Sequence, residues 1–307
     1  MCRVFAYLGV PVSLDGPLFA ADNSLINQTV NARLMSLLNI GGFGVAAWNA
    51  ESAEPSRPYF YKTPAVPVFD RNLKALAEKV HATAAISHVR GVIYDPSETV
   101  GPQNLHPFRF PKAQVLLAQN GDLYDFGKMR YELLEHIPPE IARNIEGTTD
   151  TEWVYALVLS QLDDPWGPAT AEQLATAARD AITILRGIRD RLDLRTQSPV
   201  NLVISDGNSI VATRFCFDYG WYPEDDSFFA GEREFDFTTL WYAHGESFEE
   251  RDGEWSVRYG EAASSVMIAS EPIGAEPEVW TEVPEYSMLV IERDGDSVTV
   301  DVRELNL

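Results

Sequence analysis

Cysteine is scarce, with only Cys2 and Cys216 in 307 residues. A disulfide framework is therefore excluded, and so sparse a use of thiols fits a reducing, cytoplasmic setting. The histidines, His81, His88, His106, His136 and His244, show no metal-ligand spacing, and there is no Cys-x-x-Cys. Structural zinc is not expected, and no cofactor of any kind is implied. A phosphate-binding glycine loop is also missing: Gly41-Gly42-Phe43-Gly44 leads into a strand-like run without the Lys-Ser or Lys-Thr of a nucleotide site. No apolar stretch approaches the ~18 residues of a membrane span. The opening MCRVFAYLGVPVSLDG lacks the charged head and long apolar core of a secretory signal. Basic residues are few, 24 against 46 acidic ones, for a net charge of −22. So acidic a surface repels phosphate backbones and anionic bilayers, which excludes nucleic acid and membranes as partners.

What is present is an ordinary globular composition, 45% hydrophobic and 11% aromatic. The charge is uneven: residues 1–200 carry 22 acids and 18 bases, residues 201–307 carry 24 acids and 6 bases. CRVFAYLGV reads as a strand starting almost at residue 2. Residues 22–38 space Leu25, Ile26, Val30, Leu34, Met35 and Leu38 at helical intervals behind a capping Asp22 or Asn23, which predicts an amphipathic helix. Further helices are predicted over 70–80, 151–161 and 169–191, the last rich in Ala and Leu. Strand patterns fall at 44–48, 59–61, 83–89, 114–119, 201–205, 209–215, 266–270, 287–292 and 297–302. Strands, then helices, then strands, without regular βαβ alternation, predict an α+β layered sandwich. Residues 218–255 are acidic, aromatic and without periodicity, which reads as a long surface insertion.

Cys2 follows the initiator methionine, so removal of Met1 would leave it as the first residue. A thiol beside a free α-amine is a self-contained nucleophile and base, because the amine, with a pKa of roughly 7.7–8.0, can take the thiol proton near neutral pH. The plain alternative is a small apolar residue at a strand end.

Four blocks follow in order: Ser87-His88-Val89-Arg90, Asn104-Leu105-His106-Pro107-Phe108, Gln119-Asn120-Gly121 and Thr148-Thr149-Asp150-Thr151-Glu152. Behind an N-terminal cysteine they resemble the glutaminase domain of class II glutamine amidotransferases, members of the N-terminal-nucleophile hydrolase superfamily. The likeness extends over residues 1–270, with 271–307 as strands completing or flanking the same domain. It implies a four-layer αββα sandwich. Met-Cys-Arg, the Asn-x-His-Pro-Phe block and the late Ala269-Ser270-Glu271-Pro272 run look most like the stand-alone subgroup that includes the ergothioneine-pathway γ-glutamyl hydrolases.

The resemblance implies that Cys2 attacks a glutamine-like side-chain amide, that Asn120 and the Gly121 N–H form the oxyanion hole, that Arg90 clamps the substrate α-carboxylate, and that Asp150, beside Thr149, holds its α-ammonium. The chemistry suits each role: an oxyanion needs converging neutral donors, and a planar guanidinium matches a carboxylate. Read alone, Asn120-Gly121 is a hairpin-turn signal, Arg90 a snorkelling strand end, and Thr149 or Asp150 the cap of the following helix. Residue 3 is Arg where many amidotransferases have Gly, and the Thr that usually follows the clamp arginine closely has no nearer counterpart than Thr99. His88 reads as a core histidine and Cys216 as a buried apolar residue.

The expected activity is hydrolysis of a glutamine or γ-glutamyl amide through a thioester on Cys2, with a small-molecule substrate. The alternatives are a glutaminase subunit that passes ammonia to a separate synthase subunit, and a catalytically silent γ-glutamyl-binding module.

Overall fold

The computed structural model describes residues 2–34, 38–91, 100–222, 237–260 and 262–307. In chain order its strands are β1 (Arg3–Ser13), β2 (Phe43–Trp48), β3 (Tyr59–Thr63), β4 (His81–Val89), β5 (Leu116–Gly121), β6 (Ser198–Ser205), β7 (Ser209–Arg214), β8 (Cys216–Phe217), β9 (Trp241–Gly245), β10 (Ser247–Arg251), β11 (Glu254–Arg258), β12 (Ser265–Ala269), β13 (Thr281–Glu282), β14 (Ser287–Asp294) and β15 (Ser297–Glu304). The α-helices are α1 (Arg71–Ala77), α2 (Phe126–Met129), α3 (Pro139–Ala142), α4 (Asp150–Leu159) and α5 (Ala171–Arg191).

Two antiparallel sheets carry the fold. One runs β13-β9-β12-β1-β4-β2-β3; the other runs β15-β14-β7-β6-β5, with β8 added beside β6. Alternation along each strand sends side chains to opposite faces, and here both faces of both sheets are covered. Val4, Ala6, Ile86 and Ile268 from the first sheet meet Ala118, Val203, Ala212 and Leu289 from the second in an apolar inter-sheet core. On the far face of the second sheet, Leu202, Ile204, Val211 and Val290 pack under α4 and α5. α4 is buried at every position from Thr151 to Leu159. The long α5 starts with a capping box in which the Thr170 hydroxyl accepts from the Gln173 N–H while the Gln173 side chain accepts from the Thr170 N–H.

The outer face of the first sheet, with Phe5, Tyr7, Phe43 and Met267, is covered by a thinner layer: Leu73 of α1, Leu18 of a π-helical turn (Gly16–Ala20), Phe248 of the β10–β11 hairpin, and Trp280. The order is α+β, helix–sheet–sheet–helix, with turns and a hairpin supplying much of the second outer layer. Among the described residues no helix is long and apolar enough to cross a membrane, and no group of three or more metal-ligating side chains forms. Cys2 and Cys216 are free and buried.

Three expectations need correction. The helix expected over 22–38 does not form in its described part. The chain instead makes turns and a short 3-10 helix (Asn27–Thr29), with residues 35–37 outside the described residues. Asn23 sits at φ 50°, incompatible with an N-cap, and its side-chain amide donates to Pro272 O at 2.8 Å. Leu25 and Ile26 are buried while Val30, Leu34 and Leu38 are exposed, so tertiary anchoring of two residues overrides the helical periodicity.

Residues 218–255 are not simply a surface insertion. Residues 223–236 lie outside the described residues, but β9 pairs with both β12 and β13 inside the sheet, and Leu240 is fully buried. Nor does Asn120-Gly121 turn a hairpin: β5 runs through it, pairing Asn120 with Asn201 and Gly121 with Val200.

Gly44 of β2 faces the His106 carbonyl so closely that a Cβ there would stand 2.0 Å from the oxygen. Gly44→Ala should therefore destabilise the protein by about 2–3 kcal/mol through forced backbone displacement, read as a lower urea midpoint; an unchanged midpoint would show that the loop bearing His106 yields freely.

Candidate active site

The register of β1 decides which residues share the inter-sheet space. Arg3 pairs with Val89 and Val4 with His88 across β1 and β4, and Phe5 pairs with Ala269 across β1 and β12. Val4 and Ile86 face the inter-sheet core while Phe5 and Val89 face outward. By the same alternation Cys2, His88 and Arg90 belong to the inter-sheet side at one end of the sheet. On the second sheet Ala118 faces that core and Leu117 faces the helices, so Asn120 points inward and Gln119 towards α4.

Cys2 is buried, and its Sγ is held by the peptide of Gly91: the Gly91 N–H donates to Sγ at 3.4 Å and the thiol donates to Gly91 O at 3.8 Å. Burial pushes the thiol above its ordinary range, against which the Gly91 N–H and the Arg90 charge act in the opposite direction. The Asp150 charge also reaches the thiol and raises it. Arg90 likewise acts on Asp150, so Cys2, Arg90 and Asp150 lie within one electrostatic neighbourhood.

Arg90 is buried just past the end of β4, its N–H donating to Gly42 O at 2.9 Å and its carbonyl accepting from Gly41 N at 2.8 Å. Asp150 is the first residue of α4, with Thr149 at the N-cap. The Thr149 hydroxyl is buried with no partner among the described residues and does not cap the helix. Asp150 Oδ2 accepts from Leu123 N at 2.8 Å and from Gln119 Nε2 at 3.5 Å, and Oδ1 accepts from Thr151 N at 2.7 Å. Desolvation raises the carboxyl above the usual range, and these hydrogen bonds hold it down only in part.

Neither neighbouring histidine is placed as a base. His88 donates from Nε2 to Gln119 O at 3.1 Å, since a carbonyl only accepts, and His106 Nδ1 accepts from Gln119 N at 3.2 Å. The two rings lie 4.0 Å apart, centroid to centroid. Burial holds His88 down to about 3 and His106 well below its ordinary value, so both are neutral at physiological pH.

Asn120 donates from Nδ2 to Ser270 Oγ at 3.2 Å, leaving its Oδ1 buried without a partner among the described residues. Ser270 Oγ also accepts from Val4 N at 3.0 Å, so its own proton is available to the amide. Rotation of the amide by 180° would let Ser270 donate to Oδ1 and turn the NH₂ group away, because the two ends of the amide have the same shape. Gly121, at φ 155°, must be glycine: a Cβ there would stand 1.8 Å from Pro199 O.

Sequence reasoning proposes Cys2, Arg90, Asn120, Gly121, Thr149 and Asp150 but assigns no role to the residues that hold Cys2. Arg3 donates from Nη1 to Cys2 O at 3.0 Å and pairs through Nη2 with Glu271 Oε1 at 3.0 Å, both side chains almost fully buried. Glu271 Oε2 accepts from Arg33 N at 2.7 Å. The only signal was the Met-Cys-Arg opening together with the late Ser270-Glu271 pair. Thr99 lies outside the described residues.

The sandwich thus carries a buried thiol at the start of its central strand, in one electrostatic neighbourhood with Arg90 and the helix-terminal Asp150. Residues 39–305 match the family model described as glutamine amidotransferases class-II, and the chain belongs to that family. It is 29% identical over 314 residues to the probable glutamine amidotransferase DUG3 of Saccharomyces cerevisiae, covering 95% of this chain and 82% of that protein. A glutamine aminotransferase class-II domain protein from Silicibacter pomeroyi superposes with a TM-score of 0.58 at 21% identity, covering 99% of this chain and 100% of the other. The glutamine phosphoribosylpyrophosphate amidotransferase of B. subtilis superposes at 0.55 and 15% identity, this chain covering 50% of it. At these identities the two structures speak for the fold alone, which is that of the N-terminal-nucleophile hydrolases.

Breaking the Arg3–Glu271 pair from one side leaves a buried charge. Glu271→Leu should lower stability by about 3–5 kcal/mol in urea unfolding, and adding Arg3→Met should recover most of the loss. A double variant no more stable than the single one would mean that the pair is not what anchors Cys2.

Proposed function

We propose that the protein is an amidohydrolase that cleaves a glutamine or γ-glutamyl amide bond, with Cys2 as an N-terminal nucleophile once Met1 is removed. The observation that carries this reading is the enclosure of the Cys2 thiol: its Sγ meets a backbone N–H, two opposite fixed charges act on it, and both adjacent histidines are neutral and tied to Gln119. A buried thiol with a raised pKa and no histidine partner needs another base, and its own α-amine is the group within covalent reach.

In this reading the amine takes the thiol proton as sulfur attacks the amide carbon. The oxyanion is met by the turned Asn120 amide and the Gly121 N–H, and the protonated amine then gives its proton to the departing nitrogen. Water cleaves the thioester, releasing the γ-carboxylate and restoring the thiol. Arg90 holds the substrate α-carboxylate, and Asp150, with Thr149 beside it, holds the α-ammonium. An ammonium ligand would offset the desolvation that raises Asp150. The orphaned Thr149 hydroxyl is the kind of unfilled polar atom that a bound amino-acid head would satisfy.

Release of glutamate from glutamine or a γ-glutamyl amide should be seen with processed wild type and be lost in Cys2→Ala and in protein that mass spectrometry shows to retain Met1. Full turnover by unprocessed protein would sink the mechanism. Asn120→Ala should lower kcat by about 10²–10³. Ser270→Ala, which removes the group that orients the amide and also the acceptor of the Val4 N–H, should lower kcat by about tenfold with KM little changed; a KM effect alone would assign Ser270 to packing.

A further inference from the structure

Asn120 also lines a cavity of about 340 Å³. Its wall includes Asn120 and Arg3, whose guanidinium bonds the Cys2 carbonyl, but neither Arg90 nor Asp150. In the proposed mechanism the amino-acid head of the substrate points to Arg90 and Asp150. The group departing from the amide carbon therefore points away from those two residues. Ammonia needs only about the ~30 Å³ share of a water molecule. The cavity instead falls within the ~300–1,000 Å³ range of small-molecule sites.

The lining has a definite character. Trp241, Phe237 and Tyr219 contribute aromatic surface, and the Trp241 indole N–H is buried with no partner among the described residues. Arg214 is already committed: it donates to Val283 O at 2.5 Å and Thr238 O at 3.3 Å, pairs with Glu282 at 2.9 Å and Glu285 at 4.0 Å, and stands over the Phe237 ring. Arg3 is likewise committed to Glu271. Among the described residues the two guanidinium groups of the wall are thus met by three carboxylates, Glu282 and Glu285 in the wall itself and Glu271 behind Arg3. The loosest of these is Glu285, half exposed at the rim of the wall.

Aromatic faces with a surplus carboxylate favour a cation over a carboxylate or a neutral chain. We infer that this cavity is a leaving-group subsite that accepts an amine larger than ammonia and carrying a second positive charge, so that the preferred substrates are γ-glutamyl amides of cationic amines. The inference rests on the proposed function for its placement, while the recognition chemistry is that of the cavity itself.

The test compares three substrates with one head: glutamine, the γ-glutamyl amide of 1,4-diaminobutane, and the isosteric neutral γ-glutamyl pentylamide. With processed wild type the diamine amide should show kcat/KM about tenfold above the pentylamide, falling as salt is raised. Glu285→Gln should lower the diamine amide about threefold and leave glutamine and the pentylamide unchanged. In parallel, free 1,4-diaminobutane should quench tryptophan fluorescence, with weaker binding in Glu285→Gln and no comparable effect of neutral 1-pentanol.

Equal turnover of the two isosteres, or an equal loss for both in Glu285→Gln, would overturn the subsite while leaving the amidase reading intact. If no amide is hydrolysed yet diamine binding depends on Glu285, the function fails and the cationic site stands. Neither hydrolysis nor diamine binding would overturn both.

Discussion

The geometry of the site depends on one buried ion pair. Arg3 and Glu271 lie at opposite ends of the chain, and their 3.0 Å contact, with both side chains almost fully buried, ties the start of the central strand to the end of β12. The same guanidinium holds the Cys2 carbonyl, so the position of the thiol is set by a charge pair that solvent barely screens. Such pairs contribute little net stability, because desolvation offsets attraction, yet they tolerate little displacement. Ser270, next to Glu271, bonds Val4 and the Asn120 amide, so the corner where β12 ends orders both the proposed nucleophile and the proposed oxyanion group.

Around that corner, burial does most of the electrostatic work. It raises the Cys2 thiol and the Asp150 carboxyl and keeps His88 and His106 neutral. The histidines then serve as hydrogen-bond partners of the Gln119 backbone, fixing the strand that carries Asn120. The strong acidity of the last third also acquires a location. Glu271 neutralises Arg3, while Glu282 and Glu285 oppose Arg214 beside the cavity. A charge that composition alone assigns to solvation is thus partly placed beside Cys2 and in the wall of the cavity.

Much of this was legible in sequence because it is local. The period of two in VFAYL, the capping pattern around Thr170 and the apolar run behind Asp150 are one-dimensional signals, and β1, α5 and α4 form where they say. The failures are equally instructive. Residues 22–38 carry a helical period, but Asn23 bonds Pro272, nearly 250 residues away, and Leu25 and Ile26 are claimed by the outer core. Asn120-Gly121 has turn chemistry, yet β6 pairs through it and the Gly121 conformation answers to Pro199. The strand β9 was hidden in an acidic, aromatic segment whose pairing partners, β12 and β13, lie later in the chain.

By itself the sequence determined the layered α+β class, the family resemblance and the candidate chemical groups, because residue type and short-range period suffice for those. Only the tertiary structure decided that Arg3 and Glu271 position Cys2, that Ser270 orients Asn120, that the nearby histidines are neutral, and that an aromatic, acid-rimmed cavity opens beside Asn120. Each of these depends on contacts between residues far apart in the chain and on burial, which sets both pKa and pairing and which no local pattern encodes.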